Sequence, residues 1–277
     1  MSQNLKKLER DIFNTATIGN LSSIFEITST IKINETKSSV FASQKFYIDL
    51  WSLYQELLNA AKTDSLPERK FTINKTICLI ITSSGSFSGP ADDEIIRLLD
   101  SDPDTAGSDI AIIGKKGVSI LTSKGRSIIL GFDSPDITKP IDVTPLSELI
   151  GNYKNAYCIY QTFISLANQK ITKSNLVPSE NVDHTESRIN IDDYVLEPDY
   201  GEIMKYLESV ILNISLTQII FESRLSEYAN RFKTTTVINE RAKDAIKILN
   251  LKYNQAKRRS KDEALRQQLF QGVKRWL

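Results

Sequence analysis

Every proline of this 277-residue chain lies between Pro67 and Pro198. No other feature narrows the possible folds as much. Eight of the eleven glycines crowd between Gly85 and Gly151, which leaves only Gly19 before that middle region and only Gly201 and Gly272 after it. Proline costs a helix interior about 3 kcal/mol and glycine about 1 kcal/mol, so both terminal segments are free to form long uninterrupted helices. The broken middle, by contrast, reads as a compact body of short elements and turns. At roughly 1.5 Å per residue, a helix from Asp199 to Leu277 would reach on the order of 100 Å, and a helix that long needs a partner.

The periodicity names one. In the C-terminal segment apolar or small residues recur at steps of three and four: Leu207, Val210, Ile214, Phe221, Leu225, Tyr228 and Phe232, then Ile238, Ala242, Ala245, Leu249, Tyr253 and Ala256. A repeat near 3.5 residues is the seam of a helix coiled on another helix rather than one lying on a sheet. The N-terminal segment steps the same way through Leu5, Leu8, Ile12, Thr15, Ile18, Leu21, Phe25, Thr28 and Ile31. After a polar interval it resumes at Phe41, Ile48, Trp51, Tyr54 and Leu58. The expected fold class is therefore α/β: a long antiparallel coiled coil of the N- and C-terminal helices with a central Rossmann-like open α/β sheet. The segments are 1–66, 67–198 and 199–277. Two separate amphipathic helices packed on a globular core are the other arrangement with this pattern.

The middle alternates strand and helix. Lys75–Thr82 reads as a strand buried on both faces, followed by a Ser/Gly-rich loop over 83–89 and a helix over Pro90–Asp100. Asp109–Gly114 is a second strand, Lys115–Gly117 a turn, Ser127–Phe132 a third strand and Thr144–Gly151 a helix. Tyr157–Leu166 and Lys170–Val177 read as a strand pair, and 178–198 as a polar loop.

Net charge is only +1, but it averages over an uneven distribution. From Arg241 onward eleven Lys/Arg face three Asp/Glu, whereas Asp92, Asp93, Glu94, Asp100, Asp102, Asp104 and Asp109 crowd together in the middle. Asymmetry of this kind marks an interaction surface. No run reaches the ~20 apolar residues of a membrane span, and the N-terminus lacks the pattern of a signal or transit peptide. Cys78 and Cys158 sit in apolar runs and read as buried free thiols of a reducing compartment. The single histidine, His184, lies in a polar loop.

Little in the sequence suggests chemistry. The loop over 83–89 precedes a helix N-terminus, where a phosphate could rest on backbone amides, yet it matches neither a Walker A nor a dinucleotide fingerprint. Asp92, Asp93 and Glu94 are explained by the dipole of the helix they open. No His/Cys set has metal-ligand spacing, so no catalytic, cofactor or metal residue is assigned. Lys252, Lys257, Arg258, Arg259 and Lys261 would suit nucleic-acid phosphates, the carboxylates of a protein partner, or plain solvation. Leu265, Leu269, Phe270, Val273, Trp276 and Leu277 form an apolar end that belongs inside something.

At this level of detail the chain resembles the γ subunit, the central rotor shaft, of F-type ATP synthases. The residues that carry the resemblance are Glu197-Pro198-Asp199, then Gln218, Glu222-Ser223, Ser226-Glu227, Ala229 and Arg231, then Tyr253–Lys257 (YNQAK). Asp109–Gly117 (DIAIIGKKG), the loop over 83–89, and Asn14-Thr15 with Ile18 add to it. These regions follow in the family's order over nearly the whole chain. The departures are Ser84-Gly85 for the family's Asp-Arg, Ser88 for its cysteine, and Asp262-Glu263-Ala264 for its Thr-Gln-Glu. Uncharged Phe13, Thr17, Asn20 and Ser23 also stand where the family is rich in lysine.

The resemblance implies a non-catalytic shaft in the axis of a hexamer of nucleotide-binding α and β subunits. Its α/β body would sit on the ε subunit and the membrane c-ring, with no nucleic acid and no membrane span of its own. The implied location is cytoplasmic, peripheral at the inner face of the cell membrane. Lys257, Arg258 and Arg259 would meet acidic loops of the catalytic subunits, while Leu269, Phe270, Val273 and Trp276 would turn in an apolar sleeve. A rotor or coiled-coil adaptor of a specialised motor of the same type would share all of this except ATP synthesis.

Overall fold

The computed structural model describes residues 2–60, 71–135, 141–176 and 200–273. Helix α1 (Ser2–Ala60) and helix α5 (Tyr200–Val273) bear out the long terminal helices that the missing prolines allow. Between them lie β1 (Ile73–Ile81), α2 (Ala91–Ser101), β2 (Asp109–Ile113), α3 (Lys115–Ser123), β3 (Leu130–Phe132), α4 (Thr144–Gly151), β4 (Tyr153–Phe163) and β5 (Gln169–Asn175). The polar loop expected over 178–198, with His184, and the linker after residue 60 lie outside the described residues. The chain divides into two compact units, Met1–Ser29 with Phe232–Leu277 and Thr30–Arg231.

The larger unit is built on a five-stranded sheet in the order β3-β2-β1-β4-β5. The first four strands run parallel and β5 closes the edge as an antiparallel partner of β4. A parallel sheet must be covered on both faces, and β1 shows how its continuous apolar run meets that demand. Ile77, Leu79 and Ile81 point to one face, where they join Leu146, Ile150, Leu216, Ile219 and Ile220 from α4 and α5. Cys78 and Ile80 point to the other, against Ile95, Ile96, Leu99 and Leu121 from α2 and α3. Cys78 and Cys158 are both buried and unbridged. Burial pushes the Cys78 thiol up to about 12 and raises that of Cys158 as well, so neither is a nucleophile at neutral pH.

Two local expectations are corrected here. Lys115–Gly117 is not a turn but the start of α3. Gly114, at φ +111°, makes the bend out of β2, and a Cβ on it would collide with the Thr82 carbonyl. Gly117 sits inside the helix because its amide donates to Thr82 Oγ1 (3.1 Å) and a side chain there would strike Thr82 and Ile112. The middle of α5, moreover, does lie on the sheet. Its stretch from Ile211 through Leu216, Ile219, Ile220 and Leu225 to Ala229 is buried. Helix α5 also contains an 18-residue stretch apolar enough, by length and composition alone, to cross a bilayer. About a third of that stretch is buried inside the protein, as in the core helix of a globular fold.

In the smaller unit α1 and α5 pair antiparallel. Tyr253 donates to Glu9 (2.7 Å), Gly19 meets Ala242, and Glu26 accepts from Thr236 (2.9 Å) and Asn239 (3.3 Å). In the larger unit the two helices meet again, Tyr54 donating to Glu208 (3.1 Å) above Met204, Ile211 and Trp51. On α5 the predicted seam holds: Ala242 is buried, and Ala245, Leu249, Tyr253 and Ala256 are half-buried, with Ile246 and Ser260 beside them.

On α1 the seam holds only as far as Thr15. Beyond it the inward positions are Gly19, Ser22, Glu26 and Ser29, then Ile33, Thr36 and Val40 in the larger unit. The predicted Ile18, Leu21, Phe25, Thr28 and Ile31 are exposed, as are Phe41 and Ile48, whereas Trp51 is half-buried and Tyr54 buried as expected. Size explains the difference. An alternating three–four step from Ile12 runs unbroken through the small residues, and at Gly19 a Cβ would come within 3.3 Å of the Ala242 Cβ. Helices this close admit glycine and serine between them and turn the bulky residues out. The Ser29 hydroxyl, buried without a partner, fills the seam by its size alone.

Candidate partner-binding surface

The family-like residues of α5 fasten that helix to the sheet. Glu227 is buried and accepts from Arg231 Nη2 (2.8 Å) and from Arg224 Nη1. Arg231 Nε also donates to the Ser86 carbonyl (3.2 Å). Gly85 is what makes room for this contact, since a Cβ there would overlap the Arg231 guanidinium. Gln218 donates to Glu222 (2.8 Å), Asn230 donates to Gln161 of β4 (2.6 Å), and the Tyr160 hydroxyl lies 3.5 Å from Glu222. Burial, and then the Glu222 charge, push Tyr160 up to about 12. These groups bond chiefly to one another and to the sheet, although Gln218 Oε1 and Arg224 Nε are buried without a hydrogen-bond partner.

The loop over 83–89 is filled from within. The Asp92 carboxylate is buried and accepts from the Ser83 amide (2.8 Å), the Ser83 hydroxyl (2.7 Å) and the Ser88 hydroxyl (3.2 Å), with Lys116 Nζ at 3.0 Å. The donors that would hold a phosphate hold a carboxylate of the chain's own. Asp92 therefore does more than offset a helix dipole; it ties the loop, α2 and α3 together. The adjoining cavity, lined by Thr82, Gln161, Ser223, Glu227 and Asn230 among others, has room for about one water. Among the described residues no group of His, Cys, Asp or Glu is placed to hold a metal.

Lys257, Arg258 and Arg259 are all exposed on α5. Because successive helical residues turn about 100°, they point three ways rather than forming one basic face. Lys257 lies 5.8 Å over the Tyr253 ring, on the side where Tyr253 reaches Glu9. That hydrogen bond to Glu9 raises the Tyr253 phenol above its ordinary value of 10.0. Arg258 shares its side of the helix with Leu251, Leu265 and Leu269, and Leu269 is 70 % exposed. Phe270 and Val273 fall within the last turns of α5, and Trp276 lies outside the described residues.

Sequence reasoning missed the outward side of α1. Phe13 (71 % exposed), Ile24 and Ile27 (59 % each) lie directly opposite the seam, flanked by Leu21 (51 %). Of these four only Leu21 stands in the predicted 3.5-residue step.

A two-helix antiparallel coil in one unit and a mostly parallel five-stranded α/β sheet in the other define the class to which the chain is compared. The sequence profile of the ATP synthase family matches residues 4–265, and the chain belongs to that family. The ATP synthase gamma chain of Fusobacterium nucleatum is 23 % identical over 284 residues, covering 97 % of each chain. Among solved structures, the rotor of Euglena gracilis mitochondrial ATP synthase in rotational state 1 superposes with a TM-score of 0.67 at 11 % identity, over 94 % of this chain and 99 % of that one. A second structure of the Euglena gracilis enzyme, of its OSCP/F1/c-ring assembly, gives 0.67 at 11 % identity over 96 % and 92 %. Within the family the chain is of the γ type, the central rotor stalk and not the catalytic subunit. It is a peripheral F1 subunit of the membrane complex.

Proposed function

We propose that this chain couples ion-driven rotation to conformational change in a ring of nucleotide-binding subunits. The small-residue seam between Gly19 and Ala242 supports this reading best, because closely packed helices make a stiff pair and stiffness is what transmits torsion. The coil sits in the axis of an α/β hexamer. The sheet unit contacts the ε subunit and the c-ring, the kind of assembly in which the Euglena gracilis relative was solved. The complex lies at the inner, cytoplasmic face of the cell membrane. An asymmetric surface turned past three identical sites favours a different state in each, which is allostery through differential contact.

Residues 1–66 and 199–277 then act as the shaft and 67–198 as its footing. Lys257, Arg258 and Arg259, pointing three ways, meet acidic loops around the ring rather than on one side of it. Leu269, Phe270, Val273 and Trp276 turn in an apolar sleeve. The outward Phe13, Thr17 and Asn20, where the family carries lysine, favour a second reading alongside this one, a specialised motor that hydrolyses ATP without making it.

Affinity purification of the tagged chain from its own cells should recover α, β, ε and c subunits together. Recovery of the hexamer without c subunits would leave the specialised motor, and recovery of neither would end the shaft reading. Arg258→Glu with Arg259→Glu should lower coupled turnover roughly 5- to 150-fold, the range of ordinary coupling energies, with the loss deepening as salt is reduced. Wild-type turnover in that variant would remove the acidic loops as partners.

A further inference from the structure

Within the larger unit α5 is held to the sheet in two different ways along its length. From Leu212 to Ile220 it is held by apolar packing, through Leu212, Leu216, Ile219 and Ile220. From Glu222 to Arg231, the last residue of that unit, directional contacts are added. The Tyr160 hydroxyl reaches Glu222, Asn230 donates to Gln161 (2.6 Å), and Arg231 donates to the Ser86 carbonyl (3.2 Å). Apolar contact is non-directional, so it resists separation of a helix from its bed more than turning within it. A hydrogen bond has a preferred angle and opposes rotation of the helix about its own axis.

Arg231 is held from three directions. Its Nη2 donates to Glu227 one turn earlier (2.8 Å), its Nε donates to Ser86, and its guanidinium lies 5.8 Å over the Tyr228 ring. It enters a socket that exists because residue 85 is glycine, since a Cβ there would overlap Nη2. The rest of the loop is tied down. Asp92 accepts from Ser83 and Ser88, and Lys116 donates to Ser88 and to the Gly89 carbonyl (3.4 Å each). Between these anchors Phe87 stands at φ +66°, a conformation that L-residues keep only where the surroundings impose it. The loop over 83–89 is a stiff socket and not a slack turn.

We propose that this socket fixes the rotational register of α5 on the sheet, so that torque on the sheet unit turns the helix with it, and that Arg231 is the positioning residue. The inference rests on the shaft reading given above and deepens it, because it names where the footing grips the helix that carries torque onward. Buried ionic groups add little net stability compared with apolar packing, and their best-attested use is to fix one register among several. Their placement fits that use, in the last turns of α5 before Phe232, where the helix leaves the sheet unit.

The test uses the complex of the full chain with its nucleotide-binding ring, purified from its own cells and released from the membrane. A bead is attached to the sheet unit through Arg97→Cys on α2, an exposed position, while the native thiols Cys78 and Cys158 are buried. With the ring stalled by a non-hydrolysable ATP analogue, the angular variance of the bead reports the torsional stiffness between ring and footing. Gly85→Ala closes the socket without removing a charge or an apolar side chain. It is expected to raise that variance about two-fold or more, thermal variance being inverse to stiffness, with ATP hydrolysis by the ring unchanged. Ile219→Val weakens the apolar bed instead, and should lower the thermal midpoint of the free chain while leaving the variance at its wild-type value. Gly85→Ala and Arg231→Ala should not add, because they remove one contact twice. Wild-type variance in Gly85→Ala overturns the proposal, as does an equal rise in Ile219→Val, which would make adhesion and not register the source of stiffness. Either result leaves the shaft reading standing. A wild-type chain that fails to co-purify with any ring ends that reading, and this inference with it.

Discussion

Replacing Glu227 with alanine is expected to lower the stability of the sheet unit by about 3–5 kcal/mol, seen as a shift of the urea midpoint with little change in slope. The magnitude follows from what the substitution leaves behind. Glu227 is buried, and the two guanidinium groups bonded to it, Arg224 and Arg231, are themselves mostly buried. Removing the carboxylate strands two positive charges out of water, which costs more than the ion pairs ever contributed. Both guanidinium groups also lie over the Tyr228 ring (5.3 and 5.8 Å), so neither can swing far to find solvent. Glu227→Gln keeps an acceptor and should cost clearly less, whereas equal losses in the two variants would show that the charge is not what matters. Because Arg231 also holds the Ser86 carbonyl, the alanine variant should loosen the loop over 83–89. Faster amide exchange there is the local sign.

This cluster also shows where reading the sequence stops. Gln218, Glu222, Glu227 and Arg231 stand out in the chain as family-like residues, and spacing alone would present them as a helix face awaiting a partner. Gln218 and Glu227 pair within α5, but Glu222 and Arg231 also find Tyr160 and Ser86, scores of residues away, and pairing over such separations leaves no periodic trace. Asp92 is the same case. As one of three acidic residues opening a helix it has a sufficient local explanation, yet its carboxylate closes a buried knot with Ser83, Ser88 and Lys116.

Elements whose signals are local were legible almost to the residue. The helix over Thr144–Gly151 begins and ends as predicted, β1 and β2 differ from their predicted spans by one or two residues, and the long helices follow from missing prolines. Helix α3 was missed because Gly117 reads as a turn when its purpose is close packing on Thr82. The α1 seam was set one residue out of phase because hydrophobicity ranks leucine and isoleucine above glycine and serine. In a coil whose axes approach closely, size outranks hydrophobicity. Reading the repeat for small residues from Ile12 onward would have found Gly19, Ser22 and Ser29.

The larger functional effect is expected from truncation after Gln255. Removing that end takes away Lys257, Arg258 and Arg259 together with Leu265 and Leu269, so both proposed contacts of the C-terminal shaft are lost at once. Coupled turnover in the reassembled complex should fall at least as far as with the charge reversal, toward the upper end of a roughly 5- to 150-fold range. The sheet unit, Thr30–Arg231, should still unfold at its wild-type midpoint, since none of its residues is removed. A helix shortened in this way also leaves Leu5 and Leu8 of α1 without part of their cover, and fraying there could mimic a lost contact. Leu265→Asp with Leu269→Asp separates the two causes. Both positions are exposed in the free chain, so helix content should hold while turnover falls. If that variant turns over normally and only the truncation is impaired, the apolar end is a stabiliser of the coil and not a bearing. If neither is impaired, torque passes through the ring without the last five or six turns of α5, and α1 becomes the helix that carries it.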